Sequence, residues 1–69
     1  MQPYQQRVVA EKADLDGKIS RLADFIGSDR FVKVDEEERD RMREQLRVML
    51  LYSEILGERI AAYGLREAT

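Results

Sequence analysis

Two stretches of helical periodicity, separated by nine residues, constrain this chain more than anything else in it. Val8, Leu15 and Leu22 recur every seven residues, flanked by Ile19 and Ile26, with Tyr4 and Phe25 beside them. Met42, Leu46, Met49, Leu56, Ile60 and Tyr63 form a second stripe. Both follow the i, i+3, i+4, i+7 pattern of a helix with one buried face. Pro3 suits a first helical turn and Gly27 suits a left-handed C-terminal cap, so the first helix is predicted over about 3–26. In the connection, "GSDRFVKVD" (27–35), Phe31, Val32 and Val34 are too apolar for a free loop and are expected to fold back over the open end of the hairpin. Asp35 and Glu38 have capping-box spacing. The second helix is predicted over about 36–63, with Gly64 as its stop, and "LREAT" (65–69) is expected to fray. Long helices joined by a short turn lie antiparallel. The expectation is one all-α helical-hairpin domain spanning 1–69.

A chain of 69 residues builds a small core, typically supplying no more than about 3–5 kcal/mol alone. With no Cys and no His, disulfides, thiolate or imidazole metal sites and a histidine base are excluded. Self-association is the remedy that remains. The second helix offers a surface for it: Val48, Leu51, Ile55 and Ala62 run about a third of a turn from the core stripe, and Leu50 widens the arc. Val48, Leu51 and Ile55 are the expected interface of a homo-oligomeric helical bundle, most simply a symmetric dimer.

The net charge of −2 and pI near 5.1 disfavour a nucleic-acid-binding surface. No apolar run resembles a signal peptide or a membrane span, which predicts a soluble intracellular protein. The run "DEEERDRMREQLR" (35–47) reads as a solvated helix face, with Glu37–Arg41 and Glu44–Arg47 as local pairs. No catalytic or cofactor-binding motif occurs. No catalytic residue, metal or cofactor is assigned.

Polar residues near the expected seam are the unusual feature. In heptad numbering, Tyr4, Glu11, Lys18 and Phe25 take the second core position of the first helix. Gln45, Tyr52 and Arg59 take equivalent places on the second helix. Such residues can form a buried network that fixes register and oligomer state, with Glu11 and Arg59 as its natural ion pair. They can also line a pocket between hairpins. Tyr stacks on a base, Lys and Arg donate to phosphate, and Gln can read a base edge.

These residues also sit in a resemblance. "PYQQRVVAEKADLDGKISRL" followed by "LRVMLLYSEILGERIAAY" resembles a family of small tailed-phage proteins named by relation to a crAss-like phage protein. The shared pattern here reads Tyr4, Arg7, Glu11, Leu15, Lys18, Leu22, Gln45, Met49, Tyr52, Leu56, Arg59 and Ile60. The resemblance implies a phage origin and residence in the host cytoplasm. Small oligomeric helical-hairpin phage proteins include sponges that sequester cyclic-nucleotide signals of anti-phage defence. In that class an aromatic residue and a lysine early in the chain clamp base and phosphate, and Tyr4 and Lys18 match them in type and placement. The resemblance implies a non-enzymatic protein that holds a cyclic di- or trinucleotide, with Tyr4, Arg7, Glu11, Lys18, Gln45, Tyr52 and Arg59 as ligand-binding residues. The alternative is inhibition of a host protein through the exposed apolar helix face.

Overall fold

The computed structural model describes residues 1–68, with side chains to Gly64. Helix α1 spans Pro3–Ile26, a 3-10 turn covers Phe31–Lys33, and α2 spans Glu36–Ala68. The helices pack antiparallel as an all-α hairpin of 52 × 15 × 14 Å. At about 1.5 Å of rise per residue, α2 alone sets the long dimension. Among the described residues there is no strand, and no helix is long and apolar enough to cross a membrane.

Local chemistry fixes the helix ends. Pro3 opens α1, and the Gln2 backbone N–H donates to Gln5 Oε1 at 2.8 Å, satisfying one of the donors a helix start leaves free. The expected left-handed cap at Gly27 does not form. Gly27 has φ −82° and ψ 0°, which any residue adopts. Ser28 closes the helix instead, its N–H and its hydroxyl both donating to Phe25 O, at 3.0 and 2.6 Å.

At the start of α2, Asp35 Oδ2 accepts from the Glu37 N–H at 3.2 Å. The reciprocal half of the box is missing, because Glu38 accepts from Arg41 at 2.8 Å. That contact also replaces the expected Glu37–Arg41 pair. Gly64 does not stop α2, which continues to Ala68. One glycine costs a helix about 1 kcal/mol, too little to end one that is otherwise supported. The fraying expected over 65–69 lies outside the residues described to side-chain detail.

The core is one interhelical seam. Val8, Leu15, Leu56 and Tyr63 are buried, with Ile19, Met49 and Ile60 packed against them. In the connection, Phe31 is buried edge-on against Phe25, ring centroids 6.2 Å apart. The Arg43 guanidinium lies 5.0 Å from the Phe31 ring centroid, within cation–π range. Val34 is half-buried, but Val32, expected to fold inward with them, is 68% exposed. A single 3-10 turn points neighbouring side chains in different directions, so it cannot bury all three.

Leu56, 1% exposed, is the most enclosed side chain of the seam. Leu56→Ala is expected to lower stability by about 2–5 kcal/mol, and Val32→Ser to change it by less than about 0.5 kcal/mol. Urea denaturation followed by circular dichroism measures both. Equal effects would contradict this core.

Candidate functional site

The seam contains polar residues, but not the ones its periodicity suggested. The buried side of α1 runs through Gln5, Val8, Lys12, Leu15, Ile19, Leu22 and Ile26, in alternating steps of three and four. On α2 the matching line is Met42, Leu46, Met49, Ser53, Leu56, Ile60 and Tyr63. The second core position of α1 is therefore 5, 12, 19 and 26, one residue on from the expected 4, 11, 18 and 25. Glu11 and Lys18 are exposed beside the seam, not in it. Gln5 and Ser53, 5% and 8% exposed, are the buried polar side chains. Ser53, between Met49 and Leu56, and the half-buried Lys12, between Val8 and Leu15, were visible in the sequence as polar interruptions of the alternating step.

Lys12, Asp16 and Ser53 join across the seam. Lys12 Nζ donates to Asp16 Oδ2 at 2.8 Å and to Ser53 Oγ at 3.0 Å. The Ser53 hydroxyl donates in turn to Asp16 Oδ1. The ring pairs the two charges and gives the Ser53 hydroxyl both a donor and an acceptor, which is what makes polar atoms tolerable beside a core. The Lys12 hydrogen bond, followed by that from Ser53, holds the Asp16 carboxyl below the ordinary aspartate value of 3.8. The lysine stem reaches the ring by passing over Gly57, where an added Cβ would meet Lys12 Cε at 3.3 Å.

The residues expected to bind ligand share one broad face of the hairpin. At about 100° per residue, Tyr4, Arg7, Glu11 and Lys18 lie on the same side of α1, one residue back from its buried line. Gln45, Tyr52 and Arg59 bear the same relation to the buried line of α2. In an antiparallel pair these two sides coincide, and the contact between them is visible: the Tyr52 hydroxyl donates to Glu11 Oε2. The expected Glu11–Arg59 ion pair does not form among the described residues. Glu11 is opposite Tyr52, about two turns from Arg59. Val48 and Ile55, each about half exposed, border the same face, with Leu51 next to them.

Along the hairpin these residues fall into three groups. Tyr4, Arg7 and Arg59 lie toward the open end. Tyr4 packs edge-on against Tyr63, centroids 5.9 Å apart, and Arg59 reaches the Tyr63 hydroxyl at 3.5 Å, long for a hydrogen bond. Glu11 and Tyr52 occupy the middle. Lys18 and Gln45 lie toward the turn, where Lys18 pairs at 3.5 Å with exposed Asp14. Tyr4 and Lys18 are fourteen residues apart on one helix, about 21 Å along its axis. The Lys12–Ser53 register separates Lys18 from Arg59 by about 18 Å. A single hairpin presents base-stacking, amide and cationic groups on one face but does not bring them to one point. The face is also flat: among the described residues the hairpin encloses no cavity.

Comparison with known proteins gives one result. The family model named Sequestin matches residues 2–62, most of the chain, with all of α1 and most of α2. No curated protein and no solved structure matches. The chain belongs to the Sequestin family. That name denotes binding by sequestration, and no enzyme family is indicated.

The Lys12–Asp16–Ser53 ring has a measurable consequence. A carboxyl whose folded pKa is depressed adds stability above its unfolded pKa, and that stability is lost as pH falls through the folded value. Wild-type protein is expected to lose stability as the pH drops below about 4, and Asp16→Asn to lose less over the same interval. Thermal melts from pH 6 to pH 2 check this. Parallel profiles would show the ring contributes nothing.

Proposed function

We propose that this member of the Sequestin family is a phage anti-defence protein that binds and holds a cyclic di- or trinucleotide immune signal in the host cytoplasm without cleaving it. It does so as a homo-oligomer of hairpins. The observation behind this reading is that Tyr4, Arg7, Glu11, Lys18, Gln45, Tyr52 and Arg59 share one face with the exposed apolar residues Val48 and Ile55. A flat two-helix surface cannot enclose a nucleotide. The same surface covered by a second hairpin can, and covering it also removes the apolar stripe from water.

The chemistry of the face supports a phosphorylated, base-bearing ligand. Tyr4 and Tyr52 offer rings for stacking, worth about 1–3 kcal/mol per base. Lys18, Arg7 and Arg59 offer donors for phosphate, the arginines as planar forks. Gln45 offers an amide for a base edge. Holding such a ligand needs no nucleophile and no general base. Sequestration lowers the free signal by mass action, so the protein must be made in amounts comparable with its ligand.

The exposed Val48, Leu51 and Ile55 line also favours a second reading, in which α2 docks on a host protein and inhibits it. The two readings separate experimentally. A sequestering protein returns its ligand intact after heat denaturation and needs no host polypeptide. An inhibitor retains one host polypeptide from a lysate.

Mass spectrometry of small molecules retained from a panel of cyclic di- and trinucleotides tests the proposal. Loss of one charge-assisted phosphate contact costs about 1.5–3 kcal/mol, or about one to two decades of affinity. Lys18→Ala and Arg59→Ala are each expected to weaken binding at least about tenfold by calorimetry, with oligomer size unchanged. Tyr4→Ala is expected to do the same through lost stacking. A wild type that retains no cyclic di- or trinucleotide overturns the reading.

A further inference from the structure

We propose that two copies pair antiparallel through α2 about a two-fold axis, with Val48 of each helix level with the partner's Ile55. This pairing joins the turn-end cations of one hairpin to the open-end cations of the other. It deepens the sequestration reading and rests on it for the identity of the ligand.

Charge selects the direction of pairing. Arg47, Glu54 and Glu58 line the flank of the Val48, Leu51 and Ile55 stripe that faces away from α1, by the helical repeat of about 100° per residue. A parallel two-fold pair would set Arg47 beside the partner's Tyr52 and Glu54 beside the partner's Arg59, leaving Arg47 without a partner carboxylate. The antiparallel pair sets Arg47 between the partner's Glu54 and Glu58, and symmetry makes that contact twice. It also levels Glu44 with the partner's Arg59. Glu44 is already bound to Arg47 within its own helix, so the arginine bridges carboxylates on both copies.

Geometry then makes a trough. On α2 the direction toward α1 and the direction toward a partner on Val48, Leu51 and Ile55 differ by about 140°. The four helices therefore form a bent row. Gln45, Tyr52 and Arg59 lie midway between the two directions, on the inner side of the bend, while Arg47, Glu54 and Glu58 lie outside it. Tyr4, Arg7, Glu11 and Lys18 face the same hollow from α1, since Glu11 meets Tyr52 on that side.

The same operation completes the kit that one hairpin keeps apart. In a single chain Lys18 and Arg59 are about 18 Å apart along the axis. In the antiparallel pair, Lys18 and Gln45 come level with the partner's Arg7 and Arg59 to within about 5 Å along the axis. Each dimer holds two such sites, and each site takes residues from both chains. A phosphate is gripped by a lysine of one copy and an arginine fork of the other.

Two measurements test this. The chain has no cysteine, so single cysteines report pairing cleanly. Val48→Cys and Ile55→Cys should form a disulfide-linked dimer under mild oxidation only when mixed. Self-linking of Val48→Cys alone would mean parallel pairing, and no link from the mixture would mean a different interface; either overturns the proposal. Second, Lys18→Ala and Arg59→Ala, each weak alone, are mixed and titrated with cyclic diguanylate. Composite sites restore wild-type affinity at about a quarter of the wild-type number of sites, since mixed dimers keep one intact site each. A mixture as weak as its components overturns the composite site. The cross-links need no ligand, so a wild type that pairs as expected yet retains no cyclic nucleotide upholds the pairing and overturns the sequestration reading instead.

Discussion

A pair of helices can bury only one stripe of each, and that limit shapes this molecule. Among the described residues the seam from Val8 to Tyr63 is the interhelical core, Phe31 is buried separately at the turn, and Val48, Leu50, Leu51 and Ile55 stay about half exposed. The α2 sequence is apolar over a wider arc than one neighbour can cover. Val48, Leu51 and Ile55 are thus exposed by geometry, not by accident of local conformation. The face they border bears the cations, the amide and the phenols, because α1 and α2 turn the same sides toward it.

Polar groups inside the seam obey a different logic from those beside it. Gln5 is buried because its side-chain oxygen serves the backbone at the start of α1. Lys12 and Ser53 sit in core register and are tolerable because Asp16 closes their hydrogen bonds. These contacts pin the sliding register of the two helices, which a purely aliphatic seam leaves looser. The Lys18, Arg59 and Gln45 side chains are held by nothing comparable. They are the groups with donors to spare.

The hairpin itself was legible in the chain. Pro3, the seven-residue recurrence of Val8, Leu15 and Leu22, and the acidic start of α2 place both helices. The second core line of α1 was not, because two of its members are polar. With Gln5 and Lys12 at that line, Tyr4 and Phe25 look like better core residues, and the assignment slips by one position. Burial depends on partners across the seam, and neither Asp16 nor Ser53 declares itself a partner of Lys12 from spacing along one helix. Gly27 and Gly64 misled for a related reason: glycine permits a left-handed turn but does not impose one. Of the candidate site, the sharing of one face follows from spacing alone. Its division into three groups required the register that Lys12 and Ser53 fix.

The edge-on contact of Tyr4 with Tyr63 bears on how the chain opens and closes. Phe25 and Phe31 meet across a loop of a few residues, whereas the two tyrosines close a loop of nearly the whole chain. Loop-closure entropy grows with that length, so the hairpin zips from the turn and the tyrosine end forms last. Burial nevertheless concentrates toward that end, at Gln5, Val8, Leu56 and Tyr63, whereas Ile19 and Met49 nearer the turn are only partly buried. Tyr4, Arg7 and Arg59 thus border the end that closes the longer loop, and Lys18 lies nearer the end that closes the shorter one. Anything that grips all of them ties the last contacts of the hairpin to form to the first, and so resists its unzipping.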